Sequence, residues 1–62
     1  MINSLNGIIS YISNDALTLD VQGVGFEVFV DKHLLAEHQV GDPLRLLIHM
    51  VIRQDLLALY GF

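Results

Sequence analysis

No cysteine occurs among the 62 residues, so neither a disulfide framework nor a thiolate zinc site can brace the chain. Tryptophan is absent too, and proline appears once. Only three Lys and Arg residues stand against seven Asp and Glu, a formal charge of -4. That is the wrong sign for a domain that grips phosphate backbones unaided, because such domains cluster Lys and Arg on one surface. No stretch approaches the ~18 apolar residues of a membrane span, and no basic segment introduces one. The expected location is therefore the cytoplasm, with no membrane partner. Catalytic groupings are equally scarce: no cysteine, no serine in a nucleophile-elbow setting and no acid pair beside an evident cleft. Neither an enzyme activity nor a cofactor is expected.

What the chain does have is apolar surface. Hydrophobic residues make up 53% and charged residues 16%, against the ~25% charged share of an ordinary globular domain. A chain of this length forms one domain, residues 1–62, and buries only about 60% of the surface its unfolded form exposes. The apolar excess points to an interface, since isolated monomers rarely expose large contiguous apolar patches. Sheet-edge or face-to-face self-association would absorb it.

Periodicity supplies the elements. Between Ile2 and Ile12 the apolar positions change parity, with Leu5 in one phase and Ile8 and Ile12 in the other. This predicts a strand bent at Gly7, as small barrels require to close. Ser13-Asn14-Asp15 makes a turn. Leu17, Leu19 and Val21 then alternate with Thr18, Asp20 and Gln22, and after a turn at Gly23-Val24-Gly25 the pattern resumes with Phe26, Val28 and Val30. Asp31 is placed to cap a short helix that runs toward His38. Val40-Gly41-Asp42-Pro43 breaks it, and Leu44 to Ile52 forms a long strand with Leu44, Leu46, Ile48, Met50 and Ile52 in one phase. A last strand follows Asp55. The expected fold is all-β, a small five-stranded OB-fold barrel with one short helix between the third and fourth strands. Another five-stranded small barrel, or an open sheet with a helix, satisfies the same pattern.

Several features invite functional readings. Gly23-Val24-Gly25 would need a further glycine where Val28 stands, and a helix after it, to bind a dinucleotide; it reads as a turn. His33 and His38, five residues apart, fall on different faces of a helix, and with His49 they have no zinc-ligand spacing. Ser4, Ser10 and Ser13 are strand-face or turn residues. Two features carry more weight. Phe29, Leu47 and Val51 lie in phase with polar neighbours, on the face turned away from the core, and are candidates for an oligomer interface. Arg53, Gln54 and Asp55 form a polar tip between two apolar runs, as a projecting hairpin would.

Met1, Ile2, Leu5 and Gly7, then Gly23-Val24-Gly25-Phe26, then Arg53, Asp55 and Leu59-Tyr60-Gly61-Phe62 together resemble the N-terminal domain of the RuvA family, in register along the whole chain. The resemblance implies an OB-fold barrel within a homotetramer that holds a four-way Holliday junction open during recombination and DNA repair, in the setting of the SOS response. It implies a non-catalytic subunit whose motor partner is the RuvB ATPase. In that family most phosphate contacts come from helix-hairpin-helix motifs in a following domain, and a third domain engages the motor. By this resemblance the 62 residues are the first part of a longer chain. The tip would face the junction centre, where the family usually carries two adjacent carboxylates; here the pair is Gln54 and Asp55, so each subunit offers one anion instead of two. Arg53 matches the basic residue beside that tip.

A second class of function fits the composition: an OB-like protein-interaction or oligomerisation module without a nucleic-acid role. OB-folds that bind single strands combine a basic groove with exposed aromatics, and this acidic chain has neither in clear form.

Overall fold

A computed structural model describes residues 1–62. The alternating segments become strands β1 (Ser4–Ile12), β2 (Ala16–Val21), β3 (Val24–Phe29), β4 (Pro43–Arg53) and β5 (Leu56–Gly61), with one helix, α1 (Lys32–Glu37), between β3 and β4. They close into a barrel in the order β1-β2-β3-β5-β4. Neighbours pair antiparallel except at the β3–β5 seam, where the pairing is parallel and registers at Phe29 and Tyr60. This is the expected five-stranded OB-type barrel with its helix after the third strand.

The inward-facing set is Leu5, Ile9, Leu17, Leu19, Val28, Leu46, Ile48 and Leu59. Ile9, Leu17, Leu19, Val28 and Leu46 are sealed from solvent, each worth roughly 1.5–3 kcal/mol of transfer free energy. Leu34 and Leu35 of α1 pack against this core. The Asp31 carboxylate accepts a bond from the Leu34 amide at 2.9 Å and fixes the start of the helix. At the other end, the loop into β4 is clipped to β1: Gly41 N–H donates to the Ile9 carbonyl at 2.8 Å, and Ile9 N–H donates to the Asp42 carbonyl at 2.9 Å.

Two local expectations change. The parity break in β1 falls at Ser10 rather than Gly7: Ile9 pairs with Leu19 and Tyr11 with Thr18, which leaves Ser10 as the extra residue of a bulge. Leu5 and Ile9 therefore point inward, Ile8 is exposed, and Ile12 turns back toward the core. Gly7 serves close packing instead. A methyl group there would overlap the Asp20 carbonyl on β2, at the place where β1 passes from its β4 pairing to its β2 pairing. The second change is the β2–β3 turn, which consists of Gln22 and Gly23 with φ of 52° and 93°; Val24 and Gly25 already belong to β3. Positive φ at both central residues is the hand of turn that matches strand twist in a tight hairpin.

Candidate functional site

β4 is eleven residues long, which at 3.2–3.4 Å per residue is roughly 35 Å. That is comparable with the longest dimension of the molecule, 33 Å. Its rungs are Ile48–Gly61, His49–Tyr60, Met50–Leu59, Val51–Ala58, Ile52–Leu57 and Arg53–Leu56, and Gln54-Asp55 forms a two-residue turn. Directly paired residues share a face. Met50 and Leu59 thus point toward the core, where both pack. Ile52 and Leu57 continue that same face, yet they are 61% and 67% exposed: the strands have passed the end of the barrel.

Arg53, Gln54 and Asp55 cap this projection and are exposed. None of the side-chain hydrogen bonds of the domain involves them. The tip is brought together by the turn, and its polar groups are free for an external partner.

The other face of the same hairpin is the outside of the barrel. Phe29 on β3 sits beside Tyr60 on β5, ring centroids 5.6 Å apart and planes tilted by 33°. Leu47 exchanges backbone bonds of 2.9 and 3.1 Å with Phe62. Val51 lies opposite Ala58. Phe29, Leu47 and Val51 therefore share one outer wall, built by β3, β5 and β4; Leu47 is exposed and the other two are half-buried. The sequence reasoning missed three further members of this wall, Leu56, Tyr60 and Phe62, all exposed. Their shared even parity, in phase with Val51's partner Ala58, was the available signal, masked by the apolar residues between them. His49 is the imidazole within this wall, across from Tyr60.

Elsewhere polar residues are interspersed with single exposed apolar ones, Ile8 and Tyr11 on β1, Val24 at the start of β3 and Val40 before β4. Thr18 and Asp20 on β2 stand beside Glu27 and Gly25 on β3, and Asn6 on β1 beside Arg45 on β4. The β2–β3 face, where OB-folds commonly hold oligonucleotides, is thus acidic. The basic residues Lys32, Arg45 and Arg53 are dispersed over α1, the start of β4 and the hairpin end, with no basic stripe. His38 caps α1, its Nδ1 2.8 Å from the Leu34 carbonyl, and lines an open polar hollow with Ala36, Glu37, Gln39 and Asp42 that includes no residue of the hairpin. Ser13 accepts a bond from the Ala16 amide at 3.2 Å and donates to the Ala16 carbonyl at 3.1 Å, a turn role.

Residues 1–61 match the family described as the RuvA N terminal domain. The chain belongs to the RuvA N-terminal domain family. Curated relatives named Holliday junction branch migration complex subunit RuvA are 44% identical in Dichelobacter nodosus, 42% in Corynebacterium efficiens and 40% in Herpetosiphon aurantiacus. Each alignment covers 100% of this chain and 30%, 30% and 32% of the respective relative. The chain spans about a third of the length of the curated RuvA relatives it matches. The RuvA match takes in all five strands, the hairpin and its tip.

Proposed function

We propose that this domain is a non-catalytic scaffold, the first part of a longer chain that assembles as a homotetramer and holds a Holliday junction open while a motor ATPase, RuvB, drives branch migration. The observation that carries the proposal is the match to the RuvA N-terminal family across a hairpin whose unbonded polar tip stands clear of the barrel. Net charge of -4 and dispersed basic residues make the barrel a poor holder of phosphate by itself. Most backbone contacts therefore come from other parts of the chain, and the barrel positions its tip. Asp55, helped by Gln54, faces the junction centre and repels phosphates at the crossover. Arg53, at the edge of the same turn, reaches a phosphate beside it. Phe29, Leu47 and Val51, with Leu56 and Tyr60, bury against neighbouring subunits.

The test is a competition gel shift with the full-length protein in magnesium-free buffer, a four-way junction against linear duplex of equal length. Strong preference for the junction is the expected result; equal or absent binding overturns the proposal. With preference established, Asp55→Asn is expected to alter junction selectivity or branch-migration rate, and unchanged values in both remove Asp55 from its role.

A second reading, an OB-like protein-interaction module with no nucleic-acid role, is favoured by one observation: the acidic β2–β3 face combined with an apolar outer wall. Failure of the junction competition favours it, and the wall formed by Phe29, Leu47 and Tyr60 is then the bait for a partner.

A further inference from the structure

Ile52 and Leu57 are among the most exposed large apolar residues of the domain, although they lie on the face of the hairpin that elsewhere forms the core. Nothing in the domain covers them. One rung further out stand Arg53 and Leu56, then the turn, so the apolar pair sits immediately behind the polar tip. Leu56 adds apolar surface on the opposite side of the same end. The hairpin end is thus apolar on the Ile52 and Leu57 side, mixed on the Leu56 side, where Arg53 is paired, and polar at the turn.

We infer that Ile52 and Leu57 form an apolar wedge that packs on the faces of the base pairs left unstacked at the centre of an open four-way junction. The inference rests on the proposed junction role and adds to it the residues that touch bases. Base faces are flat and apolar, and apolar side chains inserted against them are an established means of holding a duplex unstacked. Continuity with the tip favours this occupant over a protein surface: the pair lies one rung behind the residues that the proposed function places at the junction centre. Arg53 stands one rung further out, on the side of the hairpin opposite Ile52 and Leu57, within reach of a backbone phosphate at the same end, and Gln54 brings hydrogen-bonding capacity to base edges without adding charge. Asp55 at the turn keeps phosphates off the tip while the Ile52 and Leu57 side meets the bases. Ordering the centre in this way leaves the pairing faces of the strands unread, so the contact is independent of sequence, as a junction that migrates through any sequence requires.

The experiment uses the full-length protein and a four-way junction carrying 2-aminopurine in the base pairs at the crossover, with Ile52→Thr/Leu57→Thr as the test variant. Both residues are exposed, so the fold is retained; circular dichroism and light scattering check fold and assembly. Wild type is expected to change the 2-aminopurine signal on binding, and the double variant to lose most of that change and bind the junction about tenfold more weakly. A wild-type change that the double variant reproduces in full overturns the wedge but leaves the junction role intact. Loss of assembly in the double variant, with an unchanged signal in whatever complex still forms, overturns the wedge in favour of a contact between subunits. Absence of junction preference in the wild type overturns both.

Discussion

Phe29 and Tyr60 meet across the parallel seam that closes the barrel, their ring centroids 5.6 Å apart. The same two rings lie on the outer wall, so they both join β3 to β5 and give that wall its apolar surface. Phe29→Ala is expected to lower the unfolding free energy by about 1–3 kcal/mol, less than a fully buried aromatic because one side of the ring faces solvent. In a double-mutant cycle with Tyr60→Ala the coupling is expected at about 0.5–1.5 kcal/mol, read from urea denaturation midpoints. Strictly additive losses would show that the seam is held by backbone pairing alone.

Leu47→Asp and Val51→Asp place a carboxylate on the outer wall without touching the core. In the full-length protein each is expected to shift the population toward smaller assemblies by light scattering, since a buried unpaired charge costs several kcal/mol per contact. A fully tetrameric Val51→Asp protein would take Val51 out of the interface.

Gly7→Ala and Gly61→Ala separate two kinds of crowding. The new methyl at Gly7 runs into the Asp20 backbone, which cannot move without breaking the β1–β2 ladder; at Gly61 it stands 2.7 Å from a Val28 methyl and 3.0 Å from a Leu46 methyl, both side-chain atoms. Gly7→Ala is expected to cost more than Gly61→Ala, with about 1–3 kcal/mol for the latter, by thermal or urea unfolding. The reverse order would mean that the barrel core yields less readily than its strand crossing.

Asp31→Ala removes the acceptor for the Leu34 amide. An expected loss of about 1 kcal/mol, read from the denaturation midpoint, follows from the usual worth of such a cap. Asp31→Asn or Asp31→Ser is expected to restore most of it.

The alternation of Leu17, Leu19 and Val21 and the long apolar phase of Leu44 to Met50 made the strands legible, and Asp31 made the helix start legible, because each pattern has one physical cause. The position of the β1 bulge was harder to place. Gly7 and Ser10 both interrupt the pattern, and only the pairing partners on β2 decide which residue is extra. Likewise Ile52 reads as core by phase and is exposed in fact, since periodicity reports the face of a strand but not where the opposing wall ends. The outer wall was half legible: Phe29, Leu47 and Val51 stood out against polar neighbours, whereas Leu56, Tyr60 and Phe62 were hidden in a run where nearly every residue is apolar.

Closure of the barrel limits how copies can join. Every strand has a neighbour on each side in the closed barrel, and the unpaired backbone edge that remains lies chiefly where the β4–β5 hairpin runs past β1 and β3. Along the closed wall, association proceeds through side chains rather than by strand addition, and it stops growing when the arrangement of copies closes on itself. An apolar-rich chain of this composition thus confines the risk of strand-by-strand growth to one projecting hairpin, whose tip carries charge.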